Sequence, residues 1–396
     1  MSGVPYARLS GFYALHFAVL GAFVPFWSLY LEHLGLDKFA IGQMLAIIMG
    51  TKVFSPYLWG WVADRTGHHL AVIITTVAGS LASFALTLWV TGFWPLALVT
   101  GLFGFFWHAA LPQFEAVTMD FLGDAVHRYS QIRLWGSLGF IAVVLLAPLL
   151  LEARGVAFLP QLVLVLLALL LANALLLPRP PELAHESGQG MARVLTRPAV
   201  LAFLLVCTLQ LVSHGPYYTF YTLYAGLHGY DLTAAGWLWA LGVIAEVLLF
   251  LVMHRLLARH DAVRLLQLSV ALTALRWGLI ALVPDNLPLM LLAQVLHAAS
   301  YGLFHASAIH LVYRLFSGRL RGRGQALYAS ASFGLGGAIG AFAGGYAWET
   351  WGPAWSFGLA ALIALIALGV AVFGMRGLLL PADGRPSMMA QTARRP

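Results

Sequence analysis

Charge is scarce in this 396-residue chain. Asp, Glu, Lys and Arg together make up 9% of it, where a soluble domain carries about 25%. With 15 acidic and 22 basic residues, there is too little charge to solvate a water-facing surface. That excludes a soluble enzyme, a nucleic-acid-binding domain and a disordered chain. Cysteine is nearly absent too. The single Cys207 excludes an intramolecular disulfide and a cysteine-built metal cluster, and no metal site is expected.

What is present is apolar: 61% of the residues, with a mean hydropathy of +0.85. A membrane helix needs about 20 mostly apolar residues. Uncharged runs of that size recur at Leu134–Leu151, Gly155–Pro178, Ala199–Tyr230 and Thr350–Met375. Leu70–Phe114 also lacks Asp, Glu, Lys and Arg, and a turn over Thr91–Pro95 divides it in two. The pattern predicts twelve transmembrane helices, near 10–32, 40–62, 70–90, 95–118, 130–151, 157–178, 199–225, 234–253, 262–283, 288–312, 324–348 and 353–375. Lys and Arg in short loops mark the cytoplasmic side. One set of alternate loops, with both ends, holds seventeen arginines, while the opposite loops hold only Lys38 and Arg154. Both termini are therefore expected in the cytoplasm, and the basic excess is a topology signal rather than a nucleic-acid footprint. The first helix has no small-residue cleavage site and reads as retained.

The longest polar interruption, Arg179–Pro198, separates six helices from six. An ungapped offset of 194 aligns Gly21, Phe26, Leu29, Tyr30, Gly35, Asp37, Ala40, Gly42 and Ala46 with Gly215, Phe220, Leu223, Tyr224, Gly229, Asp231, Ala234, Gly236 and Ala240. The expected organisation is an N-terminal bundle over 1–178, a cytoplasmic loop over 179–198, a C-terminal bundle over 199–376 and a cytoplasmic tail over 377–396. Parallel six-helix repeats suit alternating access, with the site between the halves near mid-depth. The eleventh helix is dense in glycine, which favours close helix packing.

A charge deep in a membrane helix normally faces a polar cavity or a partner. The spans contain Lys52, Glu115, Arg133, Glu246 and Arg276, with His16, His108, His214, His297 and His305. Glu115 and Arg133 each lie nine residues from Asp124, at the turn joining helices 4 and 5, so a facing ion pair is expected. Glu246 sits near mid-membrane among apolar neighbours, and the repeat makes it the equivalent of Lys52, so opposite charges occupy corresponding places in the two halves. Glu32 and Glu349 lie at outer helix ends, where solvated roles are expected. Aromatic pairs in helices 1 and 7, Phe26-Trp27 and Tyr217-Tyr218, are candidates to line a cavity for an aromatic ligand. No strand–Gly-loop–helix pattern for a nucleotide is present, so an ion gradient would have to drive uphill movement.

Gly60–Gly67 reads G-x-x-x-D-R-x-G, the gating-loop pattern of the major facilitator superfamily, with His68 and His69 where that signature continues with basic residues. Pro25-Phe26-Trp27, IRLWG at Ile132–Gly136, LWALGVIAE at Leu238–Glu246, LRWG at Leu275–Gly278 and QVLH at Gln294–His297 resemble the phenylpropionate permease group, relatives of lactose permease. The resemblance implies an all-α fold of two pseudo-symmetric bundles and a proton-coupled importer of a small aromatic carboxylate. The alternative it leaves is a sugar or nucleoside symporter of the lactose-permease type. It implies substrate contacts from Arg133, Glu115, Arg276, Trp27 and Tyr218, proton coupling through Glu246, Glu115 and His297, and gating by Gly60, Asp64, Arg65 and Gly67. Gln294 and Ser300 replace the Lys and Glu that flank the equivalent His in lactose permease, so a lactose-type proton relay is incomplete here. The expected setting is a monomer in the cytoplasmic (inner) membrane, with the proton as coupling ion, no other cofactor and no nucleic acid.

Overall fold

A computed structural model describes residues 4–178, 192–316 and 320–379. Among them twelve helices are long and apolar enough to cross a bilayer. In chain order these are α1 (Tyr6–His33), α2 (Lys38–Thr66), α3 (His69–Leu88), α4 (Phe93–Leu122), α5 (Ala125–Arg154) and α6 (Val156–Leu175). The second half supplies α7 (Pro198–Leu227), α8 (Leu232–Arg259), α9 (Ala262–Leu282), α10 (Leu287–Leu315), α11 (Arg321–Trp351) and α12 (Pro353–Gly374). Helices satisfy their own backbone groups, which hydrocarbon cannot do. An even number of spans puts the first and last described residues on one face, called here the terminal face; the other is the distal face. The expected central loop and C-terminal tail lie largely outside the described residues.

The internal repeat is visible in local geometry. Gly35 and Gly229 hold φ of 86° and 80° in the turns before α2 and α8, a conformation that only glycine adopts cheaply. Asp37 and Asp231 then cap the two helices, each accepting the third residue's N–H, from Ala40 and Ala234, at 2.7 Å. Both caps satisfy a donor that the first helical turn leaves open.

On the distal side the two halves pack closely along α2–α11 and α5–α8. A Cβ on Gly42 would lie 2.7 Å from the Ala341 carbonyl oxygen, and one on Gly236 would lie 2.6 Å from that of Val144. These equivalent glycines let helix backbones from opposite halves touch. Glu349 at the end of α11 accepts the Lys38 N–H of α2 at 3.2 Å. Glu152 at the end of α5 accepts the Thr233 N–H at 3.2 Å and its hydroxyl at 3.1 Å. Each half thus donates one carboxylate to a helix start in the other. Glu349 is exposed, as expected of a helix end, and in addition it joins the halves.

Three spans depart from regular helix near mid-depth. α2 breaks over Lys52–Phe54, between pieces Lys38–Thr51 and Ser55–Thr66. Pro56 explains the break, because it has no N–H for the Lys52 carbonyl and its ring crowds that oxygen. The freed Val53 carbonyl accepts the Ser330 hydroxyl of α11 at 2.9 Å. α10 and α11 carry wide π-helical turns at Ala298–Leu303 and Ser330–Gly336, a feature often found at functional sites.

Candidate functional site

Below the distal closure, between the halves, is a cavity of about 280 Å³. It is lined from α1, α2 and α5 on one side and from α7, α8, α10 and α11 on the other. Aromatic rings dominate its wall: Phe17, Phe23, Phe140, Tyr218, Trp239, Tyr301 and Phe333. Its ionisable groups are Lys52, Arg133, Glu246 and His297. Mid-depth placement at the interface of two repeats is where such folds bind their cargo.

In the C-terminal half the polar groups form a bonded chain. Arg276 is fully buried and donates from Nε to the Ala293 carbonyl at 2.9 Å. From Nη1 it reaches Ser300 Oγ at 3.0 Å and His297 Nδ1 at 3.1 Å, and from Nη2 it reaches Gln294 Oε1 at 3.4 Å. Its guanidinium stacks over the Tyr217 and Trp277 rings at 4.2 and 4.5 Å. Because arginine only donates, His297 Nδ1 is the accepting nitrogen. The hydrogen of the neutral ring then sits on Nε2, which faces Glu246 Oε2 at 3.3 Å. His297 continues into a stack with Tyr301 and His305 at centroid spacings of 5.5 and 6.2 Å.

The N-terminal half is arranged otherwise. Arg133 lies over the Phe17 ring at 4.0 Å and the Tyr13 ring at 5.6 Å. Lys52 Nζ lies 5.1 Å from the centre of Phe333, a ring of the opposite half. Among the described residues neither cation has a carboxylate within 4.0 Å. Their contacts are cation–π contacts, which leave the N–H donors free.

Several expectations need correction. Glu115 and Arg133 do not form the expected ion pair; Glu115 instead accepts the Tyr129 hydroxyl at 3.4 Å, and it does not line the cavity. The chain passes from α4 into α5 through a kinked 3-10 stretch over Gly123–Arg128, with Gly123 at φ 47° and Ala125 off helical geometry, so counting residues from its apex does not fix which way each helix faces. Arg276 is sealed behind His297 and touches no cavity surface. Trp27 is buried against Phe23, Tyr30 and Phe84 in the first bundle, because its side of α1 faces that core. Arg133, Tyr218, Glu246 and His297 do line the cavity. Gly60, Asp64, Arg65 and Gly67 lie in the terminal-side end of α2, where Gly67 closes the helix at φ 69° and Asp64 and Arg65 are exposed. Sequence reasoning missed Phe17, Phe140 and Phe333 as wall residues. Nothing in their local sequence separates them from lipid-facing phenylalanines.

Residues 6–359 match the model of the MFS_1-like family. The probable 3-phenylpropionic acid transporter of Escherichia coli (strain K12) is 29% identical, over 90% of this chain and 94% of that protein. The maltose permease of Geobacillus stearothermophilus is 30% identical, over 86% of this chain and 87% of its own. Among solved structures, the nucleoside transporter NupG superposes with a TM-score of 0.82 at 20% identity, covering 95% of this chain and 99% of that one. At that identity the likeness speaks to fold alone.

Proposed function

The chain belongs to the MFS_1-like family and is a secondary transporter of the major facilitator type, not an enzyme; from that premise we propose that it carries a small aromatic carboxylate together with a proton. One observation carries this reading. Two cations, Arg133 and Lys52, face an aromatic-walled cavity with no carboxylate within 4.0 Å, across from a carboxylate, Glu246, held by a neutral His297. A carboxylate cargo supplies the acceptors that the guanidinium lacks, in charge-assisted hydrogen bonds. Its ring stacks on the wall of Phe17, Phe140 and Tyr218.

The proton belongs on Glu246. A second proton on His297 would sit on Nδ1 and point at the Arg276 guanidinium, so the ring acts as a fixed donor rather than a carrier. Arg276 is the positioning residue that holds it so. When Glu246 is ionised, the His297 Nε2–H stabilises it; when Glu246 is protonated, that contact weakens and the negative charge facing Arg133 across the two halves is removed. Closure on the distal face and the family's alternating access support a cycle in which cargo loads from the distal side and leaves toward the terminal face. With the arginine-rich face in the cytoplasm, the cycle imports. We place the protein as a monomer in the cytoplasmic membrane, with the proton as its coupling ion.

The relative named as a maltose permease and one named as a putative nucleoside transporter of Escherichia coli (strain K12), 25% identical over 93% of this chain, keep a sugar or nucleoside cargo as the second reading. A cavity of about 280 Å³ lies at the lower limit of small-molecule sites. Its ring-lined wall also offers few partners for the hydroxyls of a disaccharide. Proteoliposomes test the reading directly. An inward proton gradient is expected to drive 3-phenylpropionate accumulation, which a protonophore abolishes and excess maltose or uridine does not. Accumulation blocked by either of these competitors, or indifferent to the gradient, overturns it.

A further inference from the structure

We propose that the cargo bears two acidic groups, one held by Arg133 and the other by Lys52, so that the cavity is built for a ring-containing dianion. This rests on the reading above, in which Glu246 carries the proton. Three features of Lys52 carry it. Pro56 breaks α2 beneath it, so Lys52 caps the end of the helical piece Lys38–Thr51 at the break, and it lines the cavity. Its ammonium brings three N–H donors, yet among the described residues no carboxylate lies within 4.0 Å of it: Glu115 acts on it only from beyond that range, and the group it rests on is the Phe333 ring at 5.1 Å, which accepts none of them in the ordinary way. It reaches toward the C-terminal half, whereas Arg133 lies back on Phe17 and Tyr13 of α1. The two cations thus sit against opposite walls of one cavity.

Charge balance points the same way. The groups deep in the spans are Lys52, Arg133 and Arg276 against Glu115 and Glu246. With Glu246 ionised and the cavity empty, one positive charge is in excess; protonating Glu246 for the loaded step makes it two. An uncompensated charge at membrane depth is costly. A monoanion leaves one behind, and a dianion leaves none. Lys52 and Glu246 are equivalent under the repeat yet form no bridge, each being held by a different contact. The lysine is thereby left open to the cargo.

The test compares two ligands on the purified full-length protein, 3-phenylpropionate and 3-(4-carboxyphenyl)propionate, by ligand-induced thermal stabilisation and by competition. The diacid is expected to bind about tenfold more tightly than the monoacid, roughly one added charge contact. Lys52→Met is expected to erase that advantage, lowering diacid affinity about tenfold more than monoacid affinity, while Lys52→Arg retains it. The comparison on the unmodified protein needs no variant to fold. Equal affinity for the two acids, or a Lys52→Met effect that falls equally on both, overturns the dianion proposal while leaving the carboxylate reading in place. Binding of neither acid overturns both.

Discussion

The two halves of this carrier treat their buried charges in opposite ways. On the C-terminal side, Arg276, His297 and Glu246 form a continuous chain whose hydrogen positions are fixed by the arginine at its end. On the N-terminal side, Arg133 and Lys52 rest on rings and keep their donors open. A bonded network is rigid and holds one protonation pattern; a cation on a ring can turn toward whatever enters. In the cycle we propose, the difference divides the labour: one half is set for the coupling ion and the other for the cargo.

That division can be broken most severely at Glu246. Glu246→Gln is expected to abolish proton-driven accumulation while counterflow exchange continues. Uphill uptake by this variant in proteoliposomes would remove the residue from coupling. Next comes Arg276→Met, which strips donors from Ala293, Gln294, Ser300 and His297 at once. A loss of about 2–4 kcal/mol in unfolding free energy is expected, whereas Arg133→Met, which breaks no hydrogen bond, should cost less than about 1 kcal/mol. Chemical denaturation of the two variants side by side measures the contrast, and equal losses would erase it. Arg133→Ala should then weaken carboxylate binding by about 2 kcal/mol, near thirtyfold, without affecting the uncharged amide of the same acid. Calorimetric titration with both ligands separates these outcomes.

The smallest effect is expected at the distal rim. Glu152→Gln with Glu349→Gln should shift the balance of orientations by no more than about 1 kcal/mol. A single cysteine introduced at Ser137 on the cavity wall reports this as faster labelling from the distal side. The native Cys207 is fully buried and leaves that measurement a dark background. Unchanged labelling would mean that glycine packing alone keeps the rim shut.

Much of this architecture was legible in the sequence because a bilayer imposes a simple rule. Spans must be apolar and about one membrane thick, and the match of Asp37 to Asp231 carried the repeat. The bonded half of the site was also legible, since Arg276, His297 and Glu246 are ionisable residues in stretches that otherwise exclude them. The open half was less so. The Glu115–Arg133 pair failed because equal spacing from a turn fixes depth only, while facing depends on the helix rotation of each span. Trp27 failed for the same reason. The importance of Lys52 was within reach, four residues before a proline in a predicted membrane helix. Its aromatic neighbours were not, because phenylalanines that face a cavity and those that face lipid obey the same local rule.

The paired carboxylates at the rim have one more consequence. When the carrier opens distally, the starts of α2 and α8 lose Glu349 and Glu152, but solvent arrives at the same moment to take the vacated amides. Unfastening these two contacts at the edge is therefore nearly free, and they can tilt the waiting posture of the molecule only slightly. Selection can retune how long it dwells on each side of the membrane by altering that edge, leaving the chemistry underneath untouched.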